Sequence, residues 1–109
     1  MPWPVKFFQT QRGNHPVKEF ITKQEIAVQS KINSRINLLV NYGPFLKPPY
    51  IKKLQDKLYE LRTSGKMAVR IFYTMKNNKY YLLHAFKKKS NKTPAKEIQI
   101  ALDRLEEVI

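Results

Sequence analysis

The chain has 109 residues, with 21 Lys and Arg against 8 Asp and Glu, and a formal net charge of +13. This length predicts one domain over residues 1–109, and a hydrophobic fraction of 42% argues against disorder. The absence of cysteine excludes a disulfide scaffold, a thiol nucleophile and cysteine-bound zinc. No apolar run approaches the ~18 residues of a membrane span, and the opening MPWPVKFF is unlike a secretory signal. We therefore expect a soluble, cytoplasmic protein.

The first half of the chain predicts one strand and two helices. Residues 5–9 form a short strand, and a helix begins near Pro16, where proline's missing N–H needs no partner. Residues 22–25 (TKQE) match a capping box, so a second helix runs from there to Gly43. Its apolar stripe consists of Ile32, Ile36, Leu39 and Val40. The two helices are predicted to form a hairpin.

The second half predicts three antiparallel strands and a last helix. Residues 45–50 (FLKPPY) are a connector, because two prolines exclude both a helix and a central strand. The predicted strands are 57–62, 67–74 and 80–86. The last helix begins with Thr93 as N-cap and Pro94 at its first position. The order β-α-α-β-β-β-α predicts an α+β fold, with the helical hairpin and the C-terminal helix packed on a small, mainly antiparallel sheet.

The positive charge is concentrated in the middle of the chain. Residues 1–46 hold six basic and two acidic residues, 47–96 hold fourteen and two, and 97–109 hold one and four. A basic central segment predicts a polyanionic partner. The alternative is that the charge serves solubility, which seldom requires so uneven a distribution.

Residues with cationic side chains are the main candidates for chemistry. His15 and His84 have no ligand partner at a suitable spacing, and the chain has no glycine-rich phosphate loop and no G-x-S-x-G motif. We therefore expect no metal and no cofactor. Arginine, lysine, tyrosine and histidine can cleave RNA without a metal, since the 2′-hydroxyl of the substrate attacks the adjacent phosphate and cations stabilise the charge that develops.

Strand alternation singles out Arg70. It shares a predicted face with Phe72, and an arginine within an apolar strand is costly unless it reaches an anion or solvent. The alternative is an ion pair with Glu60 or with an acid of the last helix. Arg62 ends the neighbouring strand and is either a second site cation or an exposed edge charge. Glu60 is predicted to orient one of these arginines or to act as a base.

Lysines form the second group of candidates. Lys87, Lys88 and Lys89 follow the last strand and precede a helix whose first N–H groups would point to the same place, a combination that favours an anion site. The alternative is a solvated turn. Lys66, in the predicted turn 63–66, and Lys92 are further candidates for RNA binding.

Tyrosine and histidine complete the set of candidates. Tyr73 could stack on a base, although tyrosines in strands more often border a core. His84 is assigned to the face of Tyr80, Leu82 and Phe86, so it is either a site residue or a buried, hydrogen-bonded histidine.

Three segments together resemble one known family. They are LQDKLYELR (54–62), VRIFY (69–73) and LLHAFKKKSNKTPAKEIQIA (82–101), supported by GNHPVKEF (13–20) and NYGP (41–44). The combination resembles the HigB-like, phage-derived-protein branch of the RelE/ParE toxin superfamily, and it spans nearly the whole chain. The predicted order of elements agrees with the fold of that superfamily.

The resemblance implies a type II toxin, a ribosome-dependent endoribonuclease that cuts mRNA and inhibits translation. Its partners would be the ribosome, mRNA and a helix-turn-helix antitoxin in a hetero-oligomeric complex. It assigns catalytic roles to Arg70, Lys88 and Arg62, with Lys87 and Lys89 beside them. RelE-type members often carry a tyrosine in the terminal segment, but residues 90–109 contain neither tyrosine nor histidine.

The general base is therefore unassigned, with Glu60, His84 and Tyr73 as candidates. The alternatives to a ribosome-dependent nuclease are a non-nuclease, ParE-like inhibitor and a basic nucleic-acid-binding module.

Overall fold

The computed structural model describes residues 2–65 and 68–108. The elements in chain order are β1 (Val5–Phe7), α1 (Pro16–Thr22), α2 (Ile26–Tyr42), a short 3₁₀ helix (Gly43–Phe45), β2 (Ile51–Gln55), β3 (Leu58–Arg62), β4 (Val69–Lys76), β5 (Lys79–Lys87) and α3 (Ala95–Val108). The predicted α+β class is confirmed, and the arrangement is compatible with a RelE-like fold. Among the described residues, no helix has the length and apolar character needed to cross a membrane.

The sheet has one more strand than the sequence predicted. Its order is β1-β5-β4-β3-β2, with β1 parallel to β5 and the other pairs antiparallel. The additional strand is β2, which pairs with β3 at the edge of the sheet. Its sequence, IKKLQ, contains two adjacent lysines and a register shift between Lys53 and Gln55, so it lacks the alternation by which strands are recognised.

The predicted capping box at residues 22–25 is wrong. Thr22 is the last residue of α1, and its hydroxyl donates to the carbonyl of Glu19 at 3.0 Å. The second helix begins at Ile26, with Glu25 as an N-cap that makes no side-chain capping bond. Because Thr22 is still part of α1, it cannot serve as the N-cap of the second helix. The C-terminal helix also begins one residue later than predicted, at Ala95, within the usual variation of helix ends.

Each face of the sheet is covered by helices, which creates two cores. The first core packs α1 and α2 against one face, and its fully buried members include Val17, Ile32, Val69 and Leu82. The second core packs α3 against the opposite face. It contains Phe8, Leu58, Phe72, Leu83, Phe86, Ala101 and Leu105.

A β-bulge changes the predicted side-chain alternation of β5. Phe72 pairs with His84 but Tyr73 pairs with Leu82, so Leu83 is an extra residue. His84 consequently stacks on Phe86, with ring centroids 5.9 Å apart, whereas Leu82 belongs to the other core. The assignment of His84 to one face with Tyr80 and Leu82 is therefore wrong, because strict alternation does not hold across a bulge.

Candidate functional site

Two neighbouring strands place three charged side chains on the α3 face of the sheet. Glu60 and Arg62 alternate with Leu61 along β3, and Arg62 lies directly opposite Arg70 of β4. Two like charges opposite each other in an antiparallel pair destabilise a sheet. Glu60 offsets this repulsion, because its carboxylate contacts both arginines.

The carboxylate of Glu60 joins the two arginines through one oxygen. Its Oε1 forms ion pairs with Arg70 Nε at 2.9 Å and with Arg62 Nε at 3.3 Å, and only 3% of the Glu60 side chain is exposed. Arg70 Nη1 also donates to the carbonyls of Thr63 at 2.9 Å and Val69 at 3.2 Å. The guanidinium of Arg70 is therefore held by both a carboxylate and the backbone. The predicted alternative, an ion pair between Arg70 and Glu60, is present.

The electrostatics of this cluster favour an anion. Two guanidinium groups share one carboxylate, which leaves one positive charge in excess. Burial lowers the pKa of Arg70, as does Arg62 to a smaller degree, whereas Glu60 raises it. An arginine nevertheless stays protonated in proteins, so the cluster keeps one positive charge in excess.

A cleft of about 540 Å³ gives access to this cluster. Its lining comes from α2, the segment before β2, the end of β3, the start of β4 and the loop after β5. The lining residues are Arg35, Pro49, Tyr50, Arg62, Thr63, Ser64, Gly65, Ala68, Arg70, Lys88, Lys89, Ser90 and Asn91. Four of the predicted site residues thus meet at one cleft, namely Arg62, Arg70, Lys88 and Lys89. Glu60 lies beside them in its contact with both arginines.

The remaining lysine candidates lie elsewhere. Lys87 and Lys92 are exposed and are not among the described residues that line the cleft, and Lys66 is outside the described residues. The first turn of α3 does not contribute to the described lining either. The predicted convergence of the lysines with that helix N-terminus is therefore not observed. The backbone of Lys88 instead contacts the residue that precedes β4, since its N–H donates to the carbonyl of Ala68 at 2.9 Å.

Tyr73 lies in the core on the other side of the sheet. It is 4% exposed and stacks on Tyr59, with ring centroids 5.5 Å apart, and it meets Tyr80 edge-on. Burial raises the pKa of its hydroxyl well above the usual range. Tyr73 does not line the cleft, because alternation along β4 places its side chain on the face of the sheet opposite to that of Arg70.

His84 connects the sheet to α3. Its Nε2 lies 2.8 Å from Glu97 Oε1, and its Nδ1 lies 3.3 Å from Arg104 Nη1. Because arginine only donates, Nδ1 accepts and the proton resides on Nε2, as in a neutral imidazole. Burial lowers the pKa of His84, an effect that Glu97 opposes. The structure thus places His84 as a half-buried, hydrogen-bonded histidine that does not line the cleft.

Two cleft residues were missed from the sequence, Arg35 and Tyr50. Arg35 Nε donates to the carbonyl of Arg62 at 3.0 Å, and its guanidinium carbon lies 5.1 Å from the ring centroid of Tyr50. Arg35 is three residues after buried Ile32, on the flank of the apolar stripe of α2. An arginine at such a position is usually a solvent-exposed charge. Tyr50 follows a Pro-Pro pair in a connector. Neither position carries a local signal for a site.

A family model described as "phage derived protein Gp49-like (DUF891)" matches residues 19–106, most of the chain. The chain belongs to this family. It is a family of RelE/HigB-like toxins, so the resemblance is confirmed at the level of the family, and toxins of toxin–antitoxin systems have an antitoxin as partner. The comparison with curated proteins returns no match. The matched range of this Gp49-like chain includes every described residue that lines the cleft.

Proposed function

We propose that the chain is the toxin of a type II toxin–antitoxin pair and acts as a ribosome-dependent endoribonuclease on mRNA. The observation that carries the proposal is the buried Arg70, fixed by Glu60 and by two carbonyls, at a cleft that also contains Arg62 and Lys88. Membership of a RelE/HigB-like toxin family supports the same reading.

In the proposed reaction, the 2′-oxygen of one nucleotide attacks the adjacent phosphorus. The O2′–P bond forms and the bond from phosphorus to the 5′-oxygen breaks, with a net transfer of one proton from the 2′-hydroxyl to the departing 5′-oxygen. Arg70 and Lys88 stabilise the negative charge of the pentacovalent phosphorus, which is usually the largest single contribution to such catalysis. Arg62 contacts a non-bridging oxygen or a neighbouring phosphate.

Glu60 is assigned a positioning role. Its carboxylate is almost fully buried and forms ion pairs with both arginines, so it holds their guanidinium groups towards the cleft. The ribosome would supply orientation by holding mRNA for in-line attack, and well-oriented reactants account for a large part of a barrier reduction. The cations of the cleft would then be the main contribution of the protein.

The exposed cations beyond the cleft would bind flanking phosphates. Lys87 and Lys92 are exposed and flank Lys88 and Lys89 in the sequence, and each phosphate contact releases a counterion. A helix-turn-helix antitoxin would neutralise the toxin in a cytoplasmic hetero-oligomer. The basic cleft would favour binding of an acidic segment of that antitoxin.

Inducible expression of single variants tests the proposal. Lys88→Ala removes a cleft cation, and Lys96→Ala removes an exposed lysine of α3 that does not line the described cleft. We expect the parent chain and Lys96→Ala to arrest growth and to cut a translated reporter mRNA, as mapped by primer extension. Lys88→Ala should reduce cleavage at least tenfold.

Other outcomes would favour the alternatives. Growth arrest with intact mRNA and damaged DNA would favour a ParE-like inhibitor. RNA binding without growth arrest would favour a basic binding module.

A further inference from the structure

Tyr50 stands at the edge of the cleft with a partly free aromatic ring. It is 39% exposed, although its backbone carbonyl is fixed by the N–H of Arg62 at 2.8 Å. The residue is thus held beside one of the two site arginines while its ring remains accessible. Among the described residues that line the cleft, Tyr50 is the only aromatic one.

Arg35 limits how the ring of Tyr50 can move. The guanidinium carbon of Arg35 lies 5.1 Å from the ring centroid, within the range of a cation–π contact. Arg35 is itself fixed, because its Nε donates to the carbonyl of Arg62 at 3.0 Å. Tyr50, Arg35 and Arg62 therefore form a closed set of contacts, and the ring has a defined position relative to the cations of the cleft.

We propose that Tyr50, supported by Arg35, stacks on a nucleobase next to the phosphate bound at Arg62 and Arg70. This inference rests on the proposed function and names its substrate class, single-stranded RNA with one base turned towards the protein. A duplex offers no free base face at such a position, whereas single strands are commonly bound by a basic groove together with aromatic stacking. Every base has a π-face, so Tyr50 contributes affinity and positions the stacked nucleotide beside the cations of the cleft without selecting a sequence.

The test combines substitutions in the protein with abasic positions in an RNA probe and measures the Kd of each combination. The probe is a short single-stranded 2′-O-methyl oligoribonucleotide, which the proposed reaction cannot cleave, and a set of copies each with one abasic nucleotide. Stacking on one base contributes about 1–3 kcal/mol, so one abasic position should raise the Kd of the parent chain about 5- to 150-fold. We call this increase in Kd the abasic penalty. Tyr50→Leu should bind the intact probe as weakly as the parent chain binds that abasic probe, and its own abasic penalty should be absent.

Two further variants separate stacking from charge. Tyr50→Phe keeps the ring and should retain the abasic penalty. Lys88→Ala should weaken the intact and abasic probes by the same factor. Tyr50→Leu should leave the dependence of the Kd on salt unchanged, because no phosphate contact is lost. Thermal unfolding of each variant checks that the fold is preserved.

The proposal is overturned if the parent chain does not bind the single strand, if no abasic position weakens binding, or if the abasic penalty persists in Tyr50→Leu. Its failure is distinct from that of the proposed function. Cleavage of translated mRNA without a Tyr50-dependent penalty refutes the stacking role alone. A Tyr50-dependent penalty without mRNA cleavage refutes the nuclease alone.

Discussion

Replacing Arg70 or Arg62 by alanine should have very different effects on stability, although both arginines contact the same carboxylate oxygen. Arg70→Ala removes the closer partner of Glu60, at 2.9 Å, together with the bonds to the carbonyls of Thr63 and Val69. The Glu60 side chain is 3% exposed and would retain only the contact to Arg62 at 3.3 Å. Removing one partner of a buried pair costs about 3–5 kcal/mol. Because Arg62 remains, we expect about 3 kcal/mol for Arg70→Ala.

Arg62→Ala should cost much less. Its side chain is 32% exposed, against 8% for Arg70, and its removal leaves the shorter Glu60–Arg70 bond in place. Partly exposed ion pairs are worth below about 1 kcal/mol. Removing Arg62 also relieves its repulsion of Arg70, which reduces the net loss further.

Urea unfolding of the two variants and the parent chain measures this difference. The urea midpoint should fall further for Arg70→Ala than for Arg62→Ala, while the slope of the free energy of unfolding against urea stays unchanged. A double variant, Glu60→Leu with Arg70→Met, supplies the control, since it leaves no buried carboxylate without its main partner and should be more stable than Arg70→Ala alone. Equal losses for Arg62→Ala and Arg70→Ala, or a double variant less stable than Arg70→Ala, would refute the assignment of Glu60 as a buried carboxylate held mainly by Arg70.

Three further predictions concern Gly43, His84 and Lys88. Gly43→Ala should destabilise the fold by more than Gly13→Ala: both glycines have positive φ, but only at position 43 would a new Cβ overlap a ring, that of Trp3. Thermal unfolding of both variants compares them, and equal losses would exclude the overlap as the cause. Burial lowers the pKa of His84, so its contribution to stability is present above its ordinary pKa of 6.5 and is lost as the pH falls through the lower folded value. Urea unfolding between pH 7.5 and 5 should therefore show a decline that is smaller in His84→Gln, and an equal decline would contradict this. Lys88→Ala should make the negative slope of log affinity against log salt for single-stranded RNA shallower by about 0.7, as expected for one lost phosphate contact, and an unchanged slope would argue against that contact.

Local patterns were sufficient to predict most elements of the fold. Alternation in β4 placed Arg70 opposite the face of Val69 and Ile71, as the structure confirms. The glycine and proline after α2 predicted its end at Gly43, which is the C-cap that follows the last helical residue, Tyr42. The last helix buries Ala101 and Leu105, which are four residues apart and therefore lie on one helical face. These features depend on residues a few positions apart, so the sequence by itself determines them.

Only the tertiary structure decided which residues meet at the cleft. The position of Arg70 opposite Arg62 and within reach of Glu60 depends on the register of β3 against β4, and Arg35 of α2 reaches the carbonyl of Arg62 at the end of β3. The β-bulge that moves His84 and the edge strand β2 likewise arise from pairing between strands. Such contacts join residues far apart in the chain, and no periodicity within one segment encodes them. Sequence alone therefore singled out Arg62, Arg70, Lys88 and Lys89, whereas packing brought them together with Arg35 at one cleft and placed Tyr50 at its edge.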